Sequence, residues 1–336
     1  MNILSLHSME VVPQIEIAAA SCKIAVVIPC YRVTPFVCDV IQKIGPEVQA
    51  IYCIDDACPD KSGEQIETQC DDPRVVVLFH PQNVGVGGAM LTGFRRALQD
   101  GANIVVKIDG DGQMDPAMIG RFVRPILLGR ADYTKGNRFF KLDSLKAMPC
   151  IRLIGNAALS FITKLSSGYW NIMDPTNGYV AIHQRVLAEM PFEKISPRYF
   201  FESDMLFRLN TLGAVVEDVP MDASYHHPHS SLLVGQVWLS FLIKNLSNAT
   251  KRIFYSHFLR NFSVASVELV IGGLCLLFGV VFGTDRWWHS MATGIPVTSG
   301  TVMLAGLPVM VGTQLLLSFM AYDMRNTPQV PLHKRL

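Results

Sequence analysis

Apolar residues along the chain follow two rhythms, and the change between them divides the sequence. Up to about residue 225, short β-branched runs alternate with helical stretches. Residues 23–29 (KIAVVIP), 50–55 (AIYCID), 74–79 (RVVVLF), 104–108 (IVVKI) and 133–138 each predict a buried strand, followed by a brief strand-like VAI after residue 179. Helical patterning predicts helices around 35–45, 60–70, up to 99, 116–130, 150–167 and 199–212. Strand and helix in short alternation predict an α/β fold with a mostly parallel sheet covered by helices on both faces. In such sheets ligands bind beyond the carboxyl ends of the strands, where the acidic and glycine-rich turns of this sequence fall.

The second rhythm begins near residue 230. Residues 232–258 mix Leu232, Leu233, Val237, Trp238, Phe241 and Leu242 with Lys244, Lys251 and Arg252 at helical spacing, which suits a membrane surface. Residues 262–283 carry one charge, Glu268, and residues 300–322 carry none. Each is long enough to cross a bilayer, which takes roughly 20 apolar residues. The segment between them contains Arg286, Trp287 and Trp288 and is expected to be an interfacial loop, while Lys244, Lys251, Arg252, Arg260, Arg325, Lys334 and Arg335 flank the pair. The positive-inside bias puts both ends in the cytoplasm. The expected organisation is a leader (1–22), a cytoplasmic domain (23–229), juxtamembrane helices (230–260), two transmembrane helices (261–324) and a basic tail (325–336), with the cell inner membrane as location. Two spans under a large domain favour a homo-oligomer.

Composition agrees with this division. Charged residues are 17% of 336, against roughly 25% in soluble domains. A net charge of +1 argues against a nucleic-acid partner. None of the eight cysteines forms a C-x-x-C pair, so they read as reduced, buried thiols. Residues 1–22 lack the basic and apolar regions of a signal peptide.

The chemistry-bearing residues cluster at strand ends. Asp109 and Asp111, one glycine apart, can hold Mg²⁺ or Mn²⁺ while substrate phosphates fill the other positions, and Gln113 can add a neutral oxygen. Asp55 and Asp56 can accept hydrogen bonds from a nucleobase or ribose, or cap a turn; Tyr31, after Pro29, can pack on a base. The turn from Asn83 through Gly85 to Gly88 permits close backbone approach. It follows the third strand, and Met90 breaks the G-x-G-x-x-G spacing, which argues against a dinucleotide loop. Arg138 can bind a phosphate, and Arg152 lies early in a helix. Glu202 and Asp204 share a helix, as base or orienter or as a solvated face. His226, His227 and His229 lack a clear fourth ligand for zinc. Sequons at Asn245, Asn248 and Asn261 fall on the cytoplasmic side and are discounted.

IPCY (28–31), IDDACPD (54–60), HPQNVGVGGAMLTGF (80–94), IDGDGQMDP (108–116), GNR (136–138) and DPTNGY (174–179) occur in that order. This set resembles the motifs of family 2 inverting glycosyltransferases, most of all the polyprenyl-phosphate branch typified by dolichyl-phosphate mannosyltransferase. The resemblance covers about residues 23–229 and implies a GT-A fold. It implies transfer of a hexose from a UDP- or GDP-sugar to undecaprenyl or dolichyl phosphate with inversion. Pro29, Tyr31 and Asp56 would contact the nucleoside, and Asp109, Asp111 and Gln113 the metal and diphosphate. Arg138 would meet a phosphate, Arg152 the lipid phosphate, and Asp174 would shape the sugar site. The sequence departs from the pattern at Arg32-Val33, where the family often has Asn-Glu, and at Ala57-Cys58, where it has Gly-Ser. A processive synthase would carry Q-x-x-R-W, which is missing here. A catalytically inactive membrane scaffold is the other alternative.

Overall fold

A computed structural model of the chain describes residues 22–140, 150–222 and 234–336. Residues 1–21 and the His226–His229 group lie outside the described residues. The chain forms two compact units, Met1–Ala249 with Pro328–Leu336, and Thr250–Thr327.

The first unit holds a seven-stranded sheet: β1 (Ile24–Cys30), β2 (Ala50–Asp55), β3 (Val75–Phe79), β4 (Ile104–Lys107), β5 (Tyr133–Asn137), β6 (Val180–His183) and β7 (Val216–Pro220), in the order β3-β2-β1-β4-β6-β5-β7. β1 pairs in parallel with β2 and β4, β2 with β3, and β5 with β7; β6 runs antiparallel to β4 and β5. Val26 stands beside Ile51 on one side and Val106 on the other. Because successive side chains point to opposite faces, Ala25, Val27 and Val105 join one buried cluster, while Val26, Ile28 and Val106 join another. Burial on both faces is why these strands read as continuous apolar runs.

β7 is the strand that apolar patterning does not predict. Glu217 and Asp218 interrupt it and Pro220 ends it. It is an edge strand, paired with β5 alone, and acidic residues and proline are tolerated there because they discourage further pairing.

Apart from the short α6 (Gln184–Ala188), which periodicity does not mark, the helices fall where it puts them: α1 (Val37–Gln42), α2 (Ser62–Gln69), α3 (Val86–Gln99), α4 (Ile119–Leu127), α5 (Cys150–Ser167) and α7 (Phe201–Leu212). α8 (Val234–Phe254) presents Leu239, Ile243 and Leu246, 56–64% exposed, and buries Asn245 and Asn248. The Ser166 hydroxyl lies 2.5 Å from Asn245 Oδ1, and Asn248 Nδ2 donates to Asp204 at 3.1 Å. The amphipathic pattern is therefore inverted relative to a soluble helix.

The C-terminal residues return to the first unit. Asp132, fully buried, accepts from the backbone N–H groups of Val215 (2.7 Å), Leu332 (2.7 Å) and His333 (2.8 Å) and contacts His333 Nδ1 at 2.6 Å. The His333 ring stacks on His183 with centroids 4.4 Å apart, and Leu332 packs on the core. The tail expected from its basic character is thus an integral part of this unit. Burial under His333 pushes the His183 imidazole down to about 4.

The second unit contains α9 (Val264–Thr293) and α10 (Ser299–Arg325), which meet through Gly272, Gly279 and Gly312. Both are long and apolar enough to cross a membrane, and only 22% and 11% of their most apolar windows are buried. Residues 284–293 contain no helix breaker, so α9 runs on to Gly294, whose φ of +70° ends it. Trp287 and Trp288, expected in a loop, therefore lie on the helix. At the other end Arg252 grips Asp323 through two hydrogen bonds (2.7 and 2.9 Å), and His257 contacts the same carboxylate at 3.0 Å.

Candidate active site

The acidic turn Asp109-Gly-Asp-Gly-Gln113 leaves β4, which lies between β1 and β6 in the sheet. Its geometry is set from beneath by Lys107, the last residue of β4, whose side chain is 1% exposed. Lys107 Nζ donates to Asp109 Oδ1 at 2.6 Å and to the Gly178 carbonyl at 3.1 Å, and lies 3.5 Å from Glu202. Burial alone would lower this ammonium, but Asp109 and Glu202 reverse that and hold it above the usual lysine range. Asp111 Oδ1 accepts from the Gln113 backbone at 3.0 Å. Burial, with the nearby Asp109 charge, pushes the Asp111 carboxyl up.

A second group joins this turn from β5 and the loop before β6. Arg138 holds Asp174 through Nε (2.7 Å) and Nη2 (3.1 Å). Asp174 also takes Asn177 Nδ2 at 3.3 Å, and Lys135, fully buried, donates to the Asn177 carbonyl. Burial lowers Lys135 to about 8. Tyr179 stacks on Phe122 (3.9 Å between centroids) and donates its hydroxyl to the Asp115 carbonyl at 3.1 Å. The loop from Asp174 to Tyr179 is thereby tied to the acidic turn. Gly178 is required: a Cβ there would stand 2.5 Å from Lys107 Nζ and 2.7 Å from Asp109 Oδ2. At the rim, Asn137 Nδ2 and the Met173 N–H reach Asp218 (3.2 and 2.8 Å). Burial raises Asp218 to about 6.

The third group lies at the ends of β1 and β2. Asp55 accepts from the N–H groups of Cys58 (2.7 Å) and Gly63 (2.6 Å). Asp56 accepts from Val84 (3.0 Å) and Gly85 (2.7 Å) and contacts His80 Nδ1 at 2.8 Å. Asn83 Nδ2 donates to the Asp56 carbonyl at 3.2 Å. Both carboxylates are almost fully buried, 4% and 3% exposed. Asp55 and Asp56, with Asn83 and Gly85, thereby organise one wall of the cleft. The glycines of this loop serve the chain itself. Gly85 has φ +97°, and a Cβ there would lie 2.7 Å from the Pro197 carbonyl, so the close approach is that of residues 196–198.

Tyr31, 43% exposed, and the neighbouring Pro29 at the end of β1 retain a surface on which a base can pack. Asp109, Asp111 and Gln113 share one turn, in which the Gln113 N–H bonds Asp111. The Arg138 fork engages Asp174. Arg152 falls in α5, but its side chain lies outside the described residues. Glu202 reaches the site through Lys107, whereas Asp204 is a framework residue held by Arg208 (3.1 Å) and the Ser196 N–H (2.9 Å). Lys107 and Lys135 escaped the sequence reading. The available signal was a lysine inside a buried strand, which needs a counter-charge wherever it occurs.

Among the described residues no three His, Cys, Asp or Glu side chains form a ready cation cage. Two carboxylates and an amide oxygen are hard donors that suit Mg²⁺ or Mn²⁺ with phosphate oxygens completing the shell. Burial first and the Asp109 charge second disfavour the ionised Asp111 carboxyl, and a cation beside it would favour that form.

Comparison with known proteins agrees with this geometry. The glycosyl transferase family 2 model matches residues 25–190. A UDP-N-acetylglucosamine–dolichyl-phosphate N-acetylglucosaminyltransferase of Methanococcus voltae is 34% identical over 152 residues, 45% of this chain and 60% of that protein. An undecaprenyl-phosphate mannosyltransferase of Micrococcus luteus is 31% identical over 173 residues, 51% of this chain and 70% of that protein. Glucosyl-3-phosphoglycerate synthase from Mycobacterium tuberculosis, solved with uridine diphosphate, shares the fold with a TM-score of 0.55 at 20% identity, covering 70% of this chain and 83% of its own. With its acidic turn and its ordered motifs all in the matched region, the chain belongs to glycosyl transferase family 2.

Proposed function

We propose that this chain transfers a hexose from a nucleotide sugar to a polyprenyl phosphate at the cytoplasmic face of a membrane, with inversion. The observation that carries this reading is the Asp109-Gly-Asp111 turn beyond β4 in a chain that also carries α9 and α10. The relatives named for dolichyl- and undecaprenyl-phosphate acceptors supply the acceptor class.

Asp109, Asp111 and Gln113 would hold the cation, which supplies charge neutralisation for the departing diphosphate. The exposed face of Tyr31 would take the base, and the loop from Asp174 to Tyr179, braced by Arg138 and Lys135, would bound the sugar. A lipid phosphate oxygen is anionic at neutral pH, so the acceptor needs no strong base. Glu202, already engaged by Lys107, is consistent with that. The remaining catalytic work is alignment of acceptor oxygen, anomeric carbon and leaving oxygen.

The membrane part of the reading rests on exposed apolar surface. α9 and α10 leave most of their apolar residues uncovered, and α8 turns Leu239, Ile243 and Leu246 outward. The hairpin departs after Ala249 and the chain rejoins the first unit at Pro328, which supports both ends lying on one side of the bilayer. The test is incubation of purified membranes with polyprenyl phosphate and a panel of UDP- and GDP-sugars, with product masses measured. A glycosylated lipid phosphate is expected from one donor; release of free sugar alone, or no donor binding, would refute the assignment.

A further inference from the structure

We propose that Lys107 is a positioning residue of the metal–donor site: it fixes Asp109 and cancels one acidic charge of the turn, so that cation and donor diphosphate bind together and the cation alone binds weakly. The inference rests on the reading of the Asp109–Gln113 turn as that site.

Three observations carry it. First, the Lys107 ammonium is closed off from water and all its directions are used, toward Asp109 Oδ1 (2.6 Å), the Gly178 carbonyl (3.1 Å) and Glu202 (3.5 Å). A buried lysine so held has one arrangement, and it selects one orientation of the Asp109 carboxylate. Second, the loop from Asp174 to Tyr179 is shaped around the pair, since a Cβ at Gly178 would collide with both Nζ and Asp109 Oδ2. A lysine needed only to fill the core would not require clearance on the carboxylate as well. Third, Glu202 does not remove the compensation, because a second buried lysine, Lys135, also interacts with it.

The consequence is a matter of charge. A divalent cation approaching two uncompensated carboxylates would bind strongly on its own and resist release with the product diphosphate. With one oxygen of Asp109 already engaged by an ammonium, the turn offers less charge, and the diphosphate must supply the rest. Cation and donor then bind with mutual reinforcement, and the affinity of each rises by the same factor when the other is present.

The test uses the full-length protein in detergent micelles and Mn²⁺ as probe, with free Mn²⁺ followed by electron paramagnetic resonance, alone and with UDP or GDP. Wild type should bind Mn²⁺ weakly alone and at least tenfold more tightly with one nucleotide. Lys107→Met should bind Mn²⁺ alone about tenfold more tightly than wild type, lose most of the nucleotide enhancement, and turn over at least tenfold more slowly. Should Glu202, stripped of its partner, prevent folding, Lys107→Met with Glu202→Gln removes both buried charges and carries the same expectation. General damage to the site would weaken Mn²⁺ binding, so unchanged or weaker binding in a folded variant overturns the role of Lys107 while leaving the site assignment in place. Failure of wild type to bind Mn²⁺ with either nucleotide overturns the site assignment, and this inference with it.

Discussion

Two pairs of aspartates stand at the ends of β2 and β4, the parallel strands on either side of β1, and the protein treats them in opposite ways. Asp55 and Asp56, beyond β2, are buried and take four backbone N–H groups between them, together with His80. Asp109 and Asp111, beyond β4, take one backbone N–H and one ammonium, and Asp109 stays 31% exposed. A carboxylate whose lone pairs are filled by its own chain is a fastener for loops. One left short of partners beside a like charge is an invitation to a cation. Both read as Asp-rich turns in sequence; the count of donors separates them.

The comparison is broken most decisively at Asp111. Asp111→Ala should reduce transfer at least 10³-fold while the melting temperature stays within about 2 °C, because the side chain bonds only within its own turn. A matching loss of stability, measured by thermal denaturation beside a product assay, would put Asp111 in the same class as Asp56. The reverse is expected at Asp56. Asp56→Ala strands the N–H groups of Val84 and Gly85 and should cost about 2–4 kcal/mol by chemical denaturation. Gly85→Ala tests the same wall with no charge removed. Strain at φ +97° and contact with the Pro197 carbonyl should cost about 1–3 kcal/mol.

The smallest effect sharpens the contrast at the rim. Burial raises the Asp218 carboxyl from the ordinary aspartate range, about 4, to about 6. A raised acid binds its proton more tightly in the folded state, so its contribution is full below pH 4 and is lost as pH rises through 6. Asp218→Asn should therefore raise the melting temperature by about 1–3 °C at pH 7.5 and leave it unchanged at pH 4. An equal gain at both values would exclude titration as the cause.

Much of the architecture was legible because burial on both faces leaves a continuous apolar trace. β1 to β4 and all the major helices follow from it. β7 was hidden because an edge strand has no need of apolar residues on its open side, and Glu217 and Asp218 mask the alternation. The end of α9 was misplaced because hydropathy falls at Gly283, whereas the backbone obeys caps and breakers and continues to Gly294. In the site, residue types marked the acidic turn correctly. They did not distinguish the roles of Asp56 and Asp109, since the partners of Asp56, such as Gly85, come from a distant segment, as does the Gly178 carbonyl that holds Lys107 against Asp109. Nor could they show Arg138 turned onto Asp174, 36 positions away.

The tail that closes on Asp132 sets an order of events during biosynthesis. Without residues 332 and 333, the buried Asp132 carboxylate keeps only the Val215 N–H and the ring of His183 loses its cover. Those residues are translated after both helices of the hairpin. The nascent sheet unit therefore emerges from the ribosome with one seam open, and it can close that seam only after the hairpin has been made. A ribosome that stalls within α10 leaves that seam open, so closure of the sheet unit is timed by completion of the hairpin.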